Sequence, residues 1–155
     1  MADESGEKWP RKNLGRDPKV WDWALDQMGK TTVVPLATMG EDGPRVRPVT
    51  VLMHEGTPYV LTGTRDAKMR ALRSDPRFEF YVMVEEGEDA GYVRFFGRVM
   101  MVEDLDLRKE VGDASGYAWN YFSGPDDPNY ALLEMNIRRA EIMRPGVKGY
   151  ELLTR

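Results

Sequence analysis

From Thr31 to Thr62 the sequence reads TTVVPLATMGEDGPRVRPVTVLMHEGTPYVLT, an alternation of apolar and polar residues with period two, broken by two turn-forming clusters. Side chains of an extended strand point alternately to opposite faces, so the pattern describes strands with one buried side. GEDG, built on Asp42-Gly43, and HEGT supply the hairpin turns. Three strands in meander order follow, TVVPLATM, PRVRPVTVLM and PYVLT, with Pro35 marking an edge or a bulge in the first. A chain committed this early to antiparallel neighbours must dispose of its open edges, and closure into a barrel does so.

The other segments fit that plan. RFEFYVMV sets Phe78, Phe80, Val82 and Val84 against Glu79, Tyr81 and Met83, and the acidic turn EEGEDAG leads into YVRFFGRVMMV. Gly97 inside that last strand signals a bulge, or close approach of another backbone or a ligand. YALLEMNI and AEIMRP read as two closing strands. Helices are expected at three places. Asp17 caps the first, Pro18 takes its first position and Gly29 ends it, while Trp21, Ala24, Leu25 and Met28 form one apolar stripe that belongs in a core. A second runs from Arg65 to Arg73, capped by Thr64 and stopping before SDP. The segment LDLRKEVGDASGYAWNYF is largely helical but broken by glycines, and SGPDDPN is a loop. Residues 1–16 are expected to be a flexible arm and 17–155 a single domain, mainly β, an antiparallel barrel with α-helices.

Composition narrows the function classes. A formal charge of -4 gives no global basic field for nucleic acid or an anionic membrane surface. The absence of cysteine excludes disulfides, thiolate nucleophiles and thiolate metal sites, and the single histidine, His54, excludes multi-histidine metal clusters. The opening residues lack an apolar signal region and no apolar run is long enough for a transmembrane helix, so a cytoplasmic protein is expected. His54 falls in a predicted turn and is expected to be exposed. The acidic cluster Glu85, Glu86, Glu88 and Asp89 lacks calcium-loop spacing, and no Ser-His-Asp set can be assembled around one turn histidine. With so few acids, bases and nucleophiles in place, any reaction falls to a cofactor.

Two features carry chemistry. Arg45 and Arg47 share a strand face with Val49, Val51 and Met53, and an arginine beside a buried face needs an anion or an acceptor. Arg47 is the better candidate; snorkelling to solvent or pairing with a surface carboxylate is the competing reading. The turn TGTRDAKMRAL sets Thr62, Thr64, Arg65 and Lys68 around a helix N-terminus, where free amides favour a phosphate, and ordinary capping is again the alternative. Small barrels hold ligands at the mouth or at a subunit boundary.

The segments LATMGEDGPRVRP, YVLTGTRDAKMRALRSDPRFEFYV, GYVRFFGRVMMVED and YFSGPDDPNYALLEM, in this order and spacing, resemble the pyridoxamine 5'-phosphate oxidase-like FMN-binding split barrels, in their general stress protein branch. The resemblance runs from about Val20 to Met143. It implies a split β-barrel homodimer with FMN at each end of the interface and a flavin-dependent oxidoreductase activity. By matching position, Arg47 contacts the flavin or its phosphate, and the backbone of Pro48, Val49 and Thr50 meets the pyrimidine edge. Thr62 lies near the phosphate or ribityl chain, and Lys68, eight residues before the proline of SDP, is the phosphate lysine. Tyr92 and Arg94 fall where the family places a polar residue near the flavin, and Trp119 is implied to line the ring pocket across the dimer. Two departures count: the arginine-serine pair before that lysine is here Asp66-Ala67, with Arg65 to compensate, and the C-terminal segment MRPGVKGYELLTR has no histidine for a pyridoxine phosphate grip. Oxidation of pyridoxamine phosphate itself is therefore not implied. A nicotinamide nucleotide or another small redox substrate remains open as the reaction partner. A non-catalytic flavin or stress-related binding protein, or the same barrel holding F420, stays open, whereas haem is disfavoured by the lone turn histidine.

Overall fold

A computed structural model describes residues 9–155, and period-two patterning decides most of its architecture. The meander forms as expected: β2 (Thr31–Gly40), β3 (Gly43–His54) and β4 (Thr57–Gly63) follow one another through tight hairpins. β5 (Arg77–Glu86), β6 (Asp89–Met101) and β7 (Tyr130–Met143) complete a ring in the order β7-β4-β3-β2-β5-β6, which the β6–β7 ladder closes. The β6–β7 ladder removes the two outer edges that this row of six strands would otherwise expose. The protein is thus a mainly β, ring-like barrel with helices attached, as the sequence patterning indicates.

Three sequence expectations are corrected. Residues 11–15, assigned to an arm with no fold of its own, form β1 (Arg11–Gly15), parallel to a further short strand β8 (Tyr150–Thr154) that the patterning missed. Residues 1–8 of that expected arm lie outside the described residues. The two closing strands are one, β7. Its interior residues are Ala131, Leu133, Met135 and Ile137, then Ala140 and Ile142, so the alternation changes parity at Arg138-Arg139. On the facing strand Phe96 pairs Arg139 and Gly97 pairs Ile137, which makes Arg138 the extra residue of a β-bulge. Gly97 is needed opposite it, because a Cβ there would press into the Asn136 carbonyl. Finally, the helix α2 (Ala67–Ser74) is capped by Asp66 instead of Thr64; the Asp66 carboxylate accepts from the Lys68 amide at 3.0 Å.

The barrel interior holds Val34, Leu36, Val49, Val51, Phe80, Val93 and Phe95. α1 (Pro18–Asp26), capped by Asp17 and started by Pro18 as its sequence indicates, adds Trp21, Ala24 and the following Met28, and α2 adds Met69 and Leu72. On the outer wall α3 (Leu105–Ser115) and α4 (Ala118–Tyr121) cover Leu52, Tyr59, Tyr130 and Leu132 in a second cluster. Arg108 of α3 locks that layer: its guanidinium donates to the carbonyls of Pro125, Val102 and Tyr130 and lies 4.5 Å over the Tyr130 ring.

β4 and β8 share one edge of β7, β4 along Tyr130–Glu134 and β8 along Arg139–Ile142. β4 therefore leaves β3 early. The β3–β4 ladder contains Leu52, Met53 and His54 of β3 and nothing before them, so β3 from Gly43 to Val51 has β2 on one side and no β4 partner on the other. This split positions the site.

Candidate functional site

Along the open stretch of β3, Arg47 points with Val49 and Val51 toward the barrel interior, on the face that its period-two register requires. Its Nη1 is buried and has no hydrogen-bond partner among the described residues. On β4, across the split, Thr62 shares the interior face with Val60 and is 8% exposed. Lys68 reaches the same place from α2. The helix turns Met69 and Leu72 into the core, and Lys68 enters beside them, 8% exposed, donating through Nζ to Thr62 Oγ1 at 2.8 Å. Two of the expected anion ligands, Lys68 and Thr62, thus touch each other, and Arg47 keeps an unmet buried donor.

Asp66 joins them. Its carboxylate lies 3.0 Å from Lys68 Nζ. Burial pushes the Asp66 carboxyl upward, but hydrogen bonds from the Lys68 amide and ammonium, with the charges of Lys68 and Arg47, outweigh burial and hold it below the usual carboxylate range. Arg47 shares a cleft with Ala67, Arg70 and Ala71 of α2, and its charge acts on Asp66, so β3, β4 and α2 contribute to one cluster. The acid that the sequence placed beside the lysine is in direct competition with any anion for it. The orphaned Arg47 Nη1 is the residual valence of the cluster: a buried guanidinium proton without an acceptor costs on the order of 1–3 kcal/mol or more until an anion or water satisfies it. Thr38 Oγ1, on the interior face of the neighbouring strand, is also buried without a partner. The residues present fit a phosphate monoester.

The other expected site residues fall elsewhere. Pro48 and Thr50 sit on the outer face of β3 beside buried Val49, and their backbone borders the split. Thr64 is committed to the loop, donating through Oγ1 to the Pro128 carbonyl at 3.1 Å. Arg65 is exposed and lines a shallow cleft with Arg70 and Arg73. Tyr92 and Arg94 lie on the outer face of β6, a strand that does not neighbour β3 or β4. Arg94 is tied to Glu79 at 2.6 Å and to Glu141 at 2.7 Å, and burial, Glu141 and Tyr150 raise the Tyr92 phenol above its ordinary value. Trp119 lies on α4, stacked on Tyr130 and donating to Asp113 at 2.7 Å. Within one chain these three are not brought to the cluster. Asp66 is what the sequence reading undervalued as a contact; its position as the helix cap, two residues before Lys68, is the signal that locates it.

The outer face of β2 and β3 is apolar. Val33 is 67% exposed and Val46 69%, and Pro35 lies opposite Pro48 between them. Contiguous apolar surface of this kind marks a contact face.

Comparison with known proteins bears on the same region. The family described as "Pyridoxamine 5'-phosphate oxidase" matches residues 24–144. General stress protein 26 of Bacillus subtilis is 27% identical over 126 residues, 80% of this chain and 88% of that protein. Among solved structures, a NimC/NimA family protein from Clostridium acetobutylicum shares the fold with a TM-score of 0.72 at 22% identity, covering 88% of this chain and 93% of that one. A haem-binding protein from Mycobacterium smegmatis shares it with a TM-score of 0.70, also at 22% identity, covering 88% of this chain and 58% of its own.

Proposed function

Because the chain belongs to the pyridoxamine 5'-phosphate oxidase family, we propose that it binds FMN at the split between β3 and β4 and acts as a flavin-dependent oxidoreductase. The observation that carries this reading is the unpartnered Nη1 of Arg47, a residue that shares a cleft with α2, together with the Lys68–Thr62 pair that α2 makes with β4. Lys68, Arg47 and Thr62 hold the phosphate. The β3 backbone from Pro48 to Thr50, free of a β4 ladder, meets the polar edge of the ring system. Bound there, FMN supplies the hydride and electron transfer.

The chain's own residues bind and orient. Asp66, held deprotonated beside Lys68, offers no proton at neutral pH. The apolar β2–β3 face supports pairing with a second copy, which would bring the outer wall of another barrel, with Tyr92 and Arg94, or Trp119 of α4, to the open side of the split. Charge on that face blocks the pairing: Val33→Asp with Val46→Asp is expected to sediment as a monomer where the parent sediments as a dimer. The substrate in this reading is not pyridoxamine phosphate, since the sole histidine sits on the β3–β4 hairpin, bonded to Glu110.

Purification under native conditions followed by denaturation and mass measurement of the released small molecule tests the proposal. FMN supports it; F420, haem or no bound molecule after incubation with excess FMN overturns it. A bound flavin that no nicotinamide nucleotide reduces favours a carrier over an enzyme.

A further inference from the structure

His54, expected to be an exposed turn residue, is docked. Its Nε2 lies 2.9 Å from Glu110 Oε1 across 56 positions of sequence, and its side chain is 19% exposed. The β3–β4 hairpin explains the approach. A two-residue turn, Glu55-Gly56, with φ of 49° and 79° at its centre, brings the strand end against α3 and turns the Glu55 carboxylate to the same side. One ligand atom from each of His54, Glu55 and Glu110 lies within 4.8 Å of the other two.

We propose that these three residues form a binding site for a divalent transition-metal ion, with zinc as its reference ligand. Ligands at about 2.1 Å in a tetrahedral shell stand about 3.4 Å apart, so the set closes on an ion with small side-chain rotations. An imidazole with two carboxylates suits zinc, nickel or copper over magnesium and calcium, which prefer an all-oxygen shell. Charge points the same way. Among the described residues no lysine or arginine forms an ion pair with Glu55 or Glu110, and both carboxylates, with Glu134, add to burial in raising the Tyr59 phenol. Two carboxylates and one imidazole leave a negative surplus that a dication cancels. Three protein ligands leave positions for water, the pattern of an open site. The ion would fasten the hairpin to α3, on the opposite side of the β3–β4 ladder from Arg47 and independently of any flavin.

The test uses the full chain without a polyhistidine tag. Isothermal titration with zinc chloride is expected to give one saturable site per chain. Glu110→Gln is expected to weaken it at least tenfold and His54→Ala to remove it, while Glu86→Gln, on the distant β5–β6 hairpin, leaves it unchanged. As the protein has one histidine, the ring C2 proton of His54 gives one resonance, which should shift in proportion to bound zinc; this readout does not depend on how either variant folds. An unmoved histidine resonance at saturating zinc, or undiminished binding in Glu110→Gln, would overturn the proposal.

Discussion

Replacing Asp66 with Asn removes one negative charge from the anion cluster and keeps the helix cap, because Asn accepts the Lys68 amide as well as Asp does. The carboxylate stands 3.0 Å from Lys68 Nζ, so a phosphate bonded to the same ammonium brings its oxygens to about 4 Å from Asp66. Two unit charges at about 4 Å repel by about 1 kcal/mol in water and about 4 kcal/mol at the effective dielectric of a protein surface. The Asp66 side chain is 42% exposed, which favours the lower end. A gain of about 1–2 kcal/mol for the phosphate is expected, or FMN binding about 5- to 30-fold tighter. Riboflavin, which lacks the phosphate, should bind as before. Titration of apoprotein into each flavin, followed by fluorescence quenching, measures both. The reasoning fails if FMN affinity is unchanged or falls, or if riboflavin gains equally. The parent's pH dependence has a defined sign: the folded-state pKa of Asp66 is depressed, so its stabilising contribution is present above the unfolded carboxylate value and lost as pH falls through the folded one. The Asn variant should lose less stability over that acid range.

Two further expectations concern the scaffold. Gly97→Ala forces a methyl group into the Asn136 carbonyl opposite the Arg138 bulge and should destabilise the protein by about 2–4 kcal/mol, read as a lowered midpoint in urea with an unchanged slope. Arg108→Lys keeps the charge but cannot span the carbonyls of Val102, Pro125 and Tyr130, and an expected loss of about 2–3 kcal/mol in thermal unfolding distinguishes a geometric clamp from a point charge.

Much of this was legible where the physics is local. The β2–β4 hairpins and the Asp17 cap with Pro18 each depend on residues within a few positions of one another, so their patterns stand in the sequence itself; Gly97 stands out as a glycine inside an alternating strand, although its cause lies on β7. The misses share a different cause. β1 and β8 are short and pair in parallel from opposite ends of the chain, so neither carries a turn signal. The Arg138 bulge makes one strand look like two, because an extra residue reverses the alternation without ending the ladder. At the site, the interior-face position of Arg47 was readable from strand parity, and the nearness of Thr62 to Lys68 from the turn that joins β4 to α2. The engagement of Lys68 by Asp66 was not, since Thr64 and Asp66 are both acceptable caps and only the packing of α2 selects between them.

The claim that a phosphate occupies the mouth of the split barrel is tested most directly by the double variant Arg47→Ala, Lys68→Met, in which methionine keeps the buried stem of the lysine. Each charge-assisted hydrogen bond to the phosphate contributes about 1.5–3 kcal/mol, so loss of both should weaken FMN by at least about a hundredfold. Riboflavin affinity and far-ultraviolet circular dichroism should stay near those of the parent. A folded double variant that binds FMN as tightly as the parent would contradict the account.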